Sequence, residues 1–200
     1  FKQALQQVQP ELASVVSYHI EQASALLAET HQLVGPTGET NELYTAGRGV
    51  ALVIQDDTRE QAKLAVVAQI SAALIAGNSI ILCSDDAELC QSLEAAYLQS
   101  SLPTNLVQFA ALDAYHQLLE SDVRSIGYVG NTEVERTINR QLAKRSGAIV
   151  SLTSETDFVS LSVAHDPHLA LRFITERTRT INITAVGGNA TLLELGSETH

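Results

Sequence analysis

Residues 50–83 read VALVIQDDTREQAKLAVVAQISAALIAGNSIILC. The first five form a continuous apolar run of strand length, which is typical of a parallel strand covered on both faces. Residues 58–76 predict a helix that ends at Gly77-Asn78, because glycine readily adopts the left-handed backbone found at helix ends. Residues 79–83 are a second apolar run. The stretch therefore predicts a strand, a helix and a strand, the unit of a parallel sheet.

The same alternation continues downstream. We predict helices at 87–100, 114–120 and 132–145, and strands at 106–109, 125–129 and 149–152. Strands alternating with helices indicate βαβ units joined by right-handed crossovers. The predicted fold class is α/β, a Rossmann-like, mostly parallel twisted sheet with helices on both faces.

The two ends of the chain have other patterns. Residues 1–34 carry apolar side chains at helical spacing, with Pro10 marking a helix start or kink. Turn residues precede an exposed strand at 41–45, a short helix is predicted at 167–175, and residues 180–184 are strand-like. We divide the chain into a helical segment (1–34), a hairpin arm (35–49), the α/β domain (50–178) and a tail (179–200).

Composition excludes two classes of partner. The chain has 12 basic and 23 acidic residues and a net charge of −11, with no Lys/Arg-rich run, so neither nucleic acid nor an anionic membrane surface is an expected partner. Residues 64–84 lack charge and are long enough to span a bilayer. They contain Gln69, Ser71 and the turn pair Gly77-Asn78, which favour a buried helix, a turn and a strand instead.

The two cysteines, Cys83 and Cys90, match no zinc or redox spacing. Reduced thiols in a cytosolic protein fit them best. The chain contains no methionine, and we expect it to be a piece of a longer polypeptide.

A Rossmann-like sheet raises the question of a bound dinucleotide. There is no Gly-x-Gly-x-x-Gly motif, and residues 47–49 precede their strand instead of following it. Asp56 and Asp57, after the first strand, would repel a phosphate. The sequence Gly130-Asn131-Thr132-Glu133 does follow a strand and open a helix. We favour a helix cap there, and anion binding by its backbone is the alternative.

Other candidates for chemistry have simpler explanations. Cys83 and Cys90 lie in no nucleophile motif. His165 and His168 are two candidate metal ligands, but Pro167 breaks the helical face that would align them. The pairs Asp56-Asp57 and Asp85-Asp86 each follow a strand, where they are expected to cap the next helix. The residues alone therefore predict neither a catalytic nor a metal site.

Three segments resemble the cofactor-binding half of the aldehyde dehydrogenase superfamily: RGVALVI (48–54), AGNSIIL (76–82) and GYVGNTEVER (127–136). The tail, with FITER (173–177) and TINITAVGGNATLL (180–193), resembles the C-terminal end of the proline utilization A (PutA) family, as does GPTGETN (35–41). This resemblance implies an extra C-terminal domain of a long PutA, a fused proline dehydrogenase and glutamate-semialdehyde dehydrogenase. FAD and NAD would then serve the parent enzyme.

Departures from the superfamily pattern imply that this segment is non-catalytic and holds no cofactor. Cys83 stands where the superfamily has a lysine for the adenosine ribose, and Glu135 where many relatives have glycine after the Gly130 turn. Thr153 takes the place of the usual catalytic glutamate, and threonine is no general base at neutral pH. The chain reaches its tail too soon after the strand at Thr153 to contain the separate domain that carries the catalytic cysteine in the superfamily.

The resemblance also implies partners. Residues 37–45 and 179–185 would form a β-flap. The domain would cover the aldehyde dehydrogenase module and the substrate channel of the same polypeptide. The parent enzyme is expected in the cytoplasm, either free or attached to the surface of the inner membrane. A homodimer through the flap strands is compatible with this role. The alternative function is a residual NAD-binding or regulatory module. For the paired glycines Gly187 and Gly188, the alternative to a partner contact is a simple turn. The expected partner-contact residues are Asn182, Thr184, Gly187, Gly188, Asn189 and Leu192.

Overall fold

The structure, a computed structural model, describes residues 1–182. Its helices and strands alternate through most of that range. They are α1 (Lys2–Val8), α2 (Pro10–Leu27), β1 (His31–Leu33), β2 (Glu39–Gly47), β3 (Val50–Gln55), α3 (Glu60–Ile75), β4 (Ser79–Ser84), α4 (Ala87–Leu98), β5 (Val107–Ala110), α5 (Tyr115–Leu118), β6 (Val123–Val129), α6 (Thr132–Leu142), β7 (Ser151–Glu155) and β8 (Ile174–Asn182). Short 3₁₀ turns precede α5 at Leu112–Ala114 and β8 at Leu169–Phe173.

Five strands form a parallel sheet in the order β5-β4-β3-β6-β7. The chain winds outward from β3 in one direction to β5, then crosses back to β6 and continues to β7. This order confirms the predicted Rossmann-like α/β sheet. The strand order reverses between β3 and β6, and ligands of open α/β sheets bind at such a point.

Two hydrophobic cores cover the sheet. On one face β3 and β4 pack with α1, α2, α3 and α4, and on the other β3 and β6 pack with α5 and α6. Helix α3 is buried along most of its length, and its many alanines let α2 and the sheet approach it from both sides. Within residues 1–182 we find no helix that combines the length and the apolar character needed to cross a bilayer.

Asn78 joins the α3–β4 turn to the connection between β2 and β3. Its Oδ1 accepts hydrogen bonds from the backbone N–H groups of Arg48 (2.7 Å) and Gly49 (3.1 Å). Its Nδ2 donates to the carbonyls of Ala73 and Phe173, each at 2.9 Å. The side chain is fully buried with all these partners in place, so it is a structural residue of the turn that the sequence predicted.

Strands β1, β2 and β8 form a separate antiparallel sheet, which we call the flap sheet. Strand β2 pairs with β8 from Glu39 opposite Asn182 to Gly47 opposite Ile174. The predicted pairing of the hairpin near 37–49 with the tail is present for residues 179–182, and residues 183–185 lie outside the described range. The strand also takes in residues 174–178, which the sequence predicts to belong to the α/β domain. Strand β8 begins at Ile174, inside the predicted helix 167–175, of which only the 3₁₀ turn is present.

The predicted N-terminal helix is too long. Helix α2 ends at Leu27, and His31–Leu33 is strand β1. These three residues are exposed, so a further helical turn here would bury no apolar side chains and would gain little stability. Their backbone pairs with β2 instead. Pro10 is the first residue of α2, which confirms a helix start there. Strand β7 also lies later than predicted, at Ser151–Glu155 instead of 149–152.

Candidate functional site

The candidate site lies where the carboxyl ends of β3 and β6 meet, at the reversal of strand order. Asp56 follows β3 directly, and its backbone N–H donates to the carbonyl of Val129 at 2.8 Å. Gly130 and Asn131 follow β6 and lead into α6. A dinucleotide would place its pyrophosphate on such a helix N-terminus.

Asn131 caps α6. Its side-chain Oδ1 accepts hydrogen bonds from the backbone N–H groups of Glu133 and Val134, each at 3.0 Å. The capping interpretation of this turn is therefore confirmed. Two of the N–H groups that could face an anion are already bound within the chain.

The carboxylate of Asp56 lies beside this helix start. Its Oδ2 accepts hydrogen bonds from the Tyr128 hydroxyl at 3.0 Å and from Asn131 Nδ2 at 2.9 Å. Burial and the nearby Asp56 charge raise the pKa of Tyr128, so the hydroxyl stays protonated at neutral pH. The Tyr128 hydroxyl is also 3.0 Å from the carbonyl oxygen of Asn131. A negative charge of the chain itself thus occupies the favourable position near the positive end of α6.

The space over Gly130 is filled. A Cβ placed on Gly130 would lie 2.3 Å from the Tyr128 hydroxyl oxygen and 2.8 Å from Asp56 Cβ. Glycine at this turn of a nucleotide site normally leaves room for the pyrophosphate. Here the Tyr128 hydroxyl end and the Asp56 side chain stand next to Gly130, so they oppose a phosphate by volume, and the Asp56 carboxylate opposes it by charge.

Cys83 ends the apolar part of β4 and is completely buried. Burial and the nearby Asp113 raise the pKa of Cys83 to about 11. Burial also raises the pKa of Cys90. Both side chains are therefore neutral thiols at neutral pH, and neither is an activated nucleophile.

Glu135 and Thr153 both belong to the β6–α6–β7 unit but have different partners. The Glu135 carboxylate accepts a hydrogen bond from the Ser154 hydroxyl, which ties the first turn of α6 to β7. Thr153 is buried opposite Gly127 of β6, and its carbonyl accepts a hydrogen bond from Gln69 Nε2 at 3.3 Å. Strand β3 separates this unit from Cys83 on β4, so the four predicted degenerate positions do not form one cluster.

The contact of Tyr128 with Asp56 was not predicted. The sequence predicts that Asp56 repels a phosphate and, with Asp57, caps the next helix, but it predicts no contact with β6. Residues two apart on a strand share a face, so the sequence alone indicates that the Tyr128 side chain lies on the same side as residue 130. Its hydrogen bond to Asp56, which is 72 positions away in the chain, was not readable from the sequence.

The other candidates have structural roles. The Asp86 side chain caps α4 by accepting from the backbone N–H of Leu89 at 3.0 Å, as expected. Asp57 instead binds Arg59, through both its backbone N–H and its guanidinium. Among residues 1–182 no group of three His, Cys, Asp or Glu side chains could hold a metal ion. His168 Nδ1 lies 3.7 Å from Asp166 Oδ1.

The expected partner-contact residues are mostly beyond the described range. Asn182 is the last residue of β8 and lies opposite Glu39 of β2. Thr184, Gly187, Gly188, Asn189 and Leu192 lie outside the described residues, and their role remains a prediction.

Comparisons with known proteins identify relatives. No family model matches the chain. It is 30% identical over 167 residues to the bifunctional protein PutA of Salmonella typhimurium, a match that covers 82% of this chain and 11% of that protein. A crystal structure of a Bradyrhizobium japonicum PutA variant superposes with a TM-score of 0.65 at 30% identity, over 76% of this chain and 17% of the other.

A more distant structure shows the fold alone. An NADP-dependent glyceraldehyde-3-phosphate dehydrogenase from Bacillus halodurans superposes with a TM-score of 0.60 at 18% identity, over 72% of this chain and 31% of that one. The chain spans about a tenth of the length of its curated relatives. It is homologous to PutA over most of its own length, and its fold is similar to that of aldehyde dehydrogenases.

Proposed function

We propose, on the basis of this homology, that the chain is a non-catalytic structural domain of a PutA-type enzyme that carries out both steps of proline breakdown to glutamate. Those steps are proline dehydrogenation with FAD and semialdehyde oxidation with NAD. The domain itself holds neither cofactor. Its role is to cover and stabilise the aldehyde dehydrogenase module and the substrate channel of the same cytoplasmic polypeptide.

One observation carries the non-catalytic part of the proposal. Asp56 and Tyr128 occupy the space over Gly130, and the Asn131 side chain accepts from two N–H groups in the first turn of α6. A pyrophosphate would have to displace two hydrogen-bonded side chains and bring its charge next to the Asp56 carboxylate. This arrangement supports a Rossmann-like domain that no longer works as a nucleotide site.

The flap sheet supports the covering role. Strand β2 is its central strand, and β8 has β2 on one side and no strand of residues 1–182 on the other. Residues 176–182 of β8 are partly or fully exposed. An open edge of this length is a template for another strand, which supports association with the aldehyde dehydrogenase module or a second subunit.

A calorimetric titration with NAD tests the closed site on the 200-residue chain. We expect no binding heat at millimolar NAD. A matched Asp56→Asn variant removes the charge and keeps an acceptor for Tyr128, so it separates charge repulsion from loss of space. Tight binding of NAD by the unmodified chain would overturn the proposal and favour the residual NAD-binding module.

A second measurement tests the covering role in the full-length enzyme. Removal of residues 174–200 deletes β8 and the tail, and we expect semialdehyde oxidation and transfer of the intermediate to fall while proline oxidation is retained. A full-length Val159→Ser variant, changed at an exposed residue outside the flap sheet, serves as the control. Unchanged oxidation, transfer and thermal stability after the deletion would contradict the covering role.

A further inference from the structure

Helix α6 presents a row of basic side chains to solvent. Arg136, Arg140 and Lys144 follow one another at intervals of four, the last in the turn just after the helix, and all three are exposed. Residues four apart lie on the same side of a helix, so the three charges share one ridge of about 12 Å. We call this ridge the basic row.

The basic row differs from the other basic residues of the described range. None of its three members has an ion pair or a hydrogen bond there from its side chain, although the chain carries 23 acidic residues. Among the remaining basic residues only Lys2 and Arg177 share this property. The others bind carboxylates or carbonyl oxygens: Arg48, Arg59, Lys63, Arg124, Arg145, Arg172 and Arg179.

A groove of mixed polar and apolar lining adjoins the end of the basic row. A cavity of about 350 Å³ lies between the last turn of α6 and the segment 147–150. Asn139 and Arg145 supply polar lining, Leu142 and Val150 supply apolar lining, and Ile149, which also lines the groove, is 94% exposed. A single exposed isoleucine is unremarkable by itself. Next to the basic row, however, Ile149 could give a bound partner an apolar contact in addition to the charged ones.

The adjoining strand is also unpartnered. Segment 147–150 leads directly into β7, the edge strand of the parallel sheet, with β6 on one side and no strand of residues 1–182 on the other. Charge, groove and open edge thus lie around one βα unit of the five-stranded sheet. The flap sheet joins the parallel sheet at the amino end of β3, which is the same edge as segment 147–150, and Arg48 of that connection lies 3.5 Å from the Ser151 hydroxyl oxygen at the start of β7.

We propose that the basic row and the groove beside it form a docking surface for an acidic polypeptide segment that carries an apolar side chain. Its carboxylates pair with Arg136, Arg140 and Lys144, and its apolar side chain packs on Ile149. Charge complementarity selects this occupant, since the chain as a whole has a net charge of −11 and the basic row is a local patch of the opposite sign. A nucleic acid has no comparable apolar side chain for the groove, and its many phosphates meet the net negative charge of the chain.

The test is an NMR titration of the ¹⁵N-labelled 200-residue chain with a synthetic 12-residue peptide of alternating Glu and Leu. We expect shift changes confined to 133–150 and weakening of binding as salt rises. The triple variant R136Q/R140Q/K144Q keeps good helix formers and is expected to bind about tenfold more weakly, as the loss of three exposed ion pairs implies. Ile149→Ser is expected to bind about threefold more weakly.

The control is K2Q/R177Q, which removes the two other unpaired basic side chains and should leave binding within about twofold. Circular dichroism of each variant checks that the helices are retained. The proposal is overturned by shifts outside 133–150, by equal binding of the triple variant, or by the absence of binding. Tighter binding of a 12-base-pair DNA duplex than of the peptide would also overturn it and assign the row to phosphate recognition.

Discussion

Gln69 shows how one residue sets the distance between a helix and the sheet. It is completely buried on α3, and its Nε2 donates at 3.3 Å to the carbonyls of Tyr128 and Thr153. A Cβ placed on Gly127 would lie 2.2 Å from Gln69 Oε1. Helix α3 can therefore reach β6 and β7 only because residue 127 has no side chain. The glycine provides space here, and it does not need an unusual backbone conformation.

We predict that Gly127→Ala lowers the free energy of unfolding by about 2 kcal/mol or more, since the new methyl forces a buried amide out of place. In a Gln69→Ala background the same change should cost much less, because the space over residue 127 is vacated. Urea unfolding of the two single variants and the double variant measures this coupling. Additive losses would show that the two side-chain positions do not compete for one space.

At the scale of elements, the start of α6 depends on residues from two strand ends. Asn131 binds the first N–H groups of the helix through Oδ1, and its Nδ2 donates to Asp56 at 2.9 Å. One amide thus caps α6 and anchors it to the end of β3. Because Asp56 also accepts from Tyr128, the cap and the closed nucleotide position are parts of the same hydrogen-bonded group.

We predict that Asn131→Ala lowers the free energy of unfolding by about 1 to 2 kcal/mol, the usual value of an N-cap. Asn131→Asp keeps the capping oxygen but places a second carboxylate against Asp56. It should therefore be destabilised at neutral pH and low salt and recover as salt rises. Urea unfolding at two salt concentrations makes the comparison. The control is Asp86→Asn, which keeps the α4 cap and should change little. An Asn131→Asp variant as stable as the unmodified chain would contradict the role of Asp56.

At the scale of the whole molecule, α2 is held to the chain that follows β7. The Tyr18 hydroxyl donates to the carbonyl of His165 at 2.9 Å, and His19 Nε2 lies 3.0 Å from the carbonyl oxygen of Ala164. The buried Glu155 carboxylate accepts from the backbone N–H groups of Val163 and Ala164. These contacts join the N-terminal helices to the C-terminal edge of the parallel sheet.

His19 makes this connection sensitive to pH. Burial lowers the pKa of His19 below its usual value of 6.5, although the hydrogen bond to Ala164 opposes that effect. The unfolded chain then binds more protons than the folded chain as pH falls below 6.5. The contribution of His19 to stability is therefore fully present above pH 6.5 and is lost as pH falls through the lower pKa of the folded state.

We predict that the free energy of unfolding falls more steeply between pH 7.5 and 5.5 in the unmodified chain than in His19→Gln. Glutamine does not titrate, and its amide N–H can still donate toward Ala164. Urea unfolding at intervals across this range measures both slopes. A His116→Gln variant, changed at an exposed histidine, should keep the slope of the unmodified chain. Equal slopes for the chain and His19→Gln would contradict a depressed pKa.

The α/β sheet could be predicted because its signals are local. Apolar runs at β3 and β4, the helix between them and the Gly77-Asn78 stop each depend on neighbouring residues, and all appear in the structure. Two of the errors lie where a strand takes residues that the sequence predicts as helix. His31–Leu33 pairs with residues 41–43 in a short hairpin, and Ile174 and the following residues pair with the other side of β2, far away in the chain. The periodicity of a segment does not show which strand its backbone will pair with.

The sequence by itself determined the class of the domain, the caps of α4 and α6 and the homology, since propensity, periodicity and short motifs are properties of adjacent residues. Only the tertiary structure decided the state of the candidate site. Asp56 and Tyr128 come from different strands, and they meet over Gly130 because β3 and β6 are neighbours in the sheet. The physical reason is that hydrogen bonds and excluded volume act over a few ångströms in space, whatever the distance along the chain.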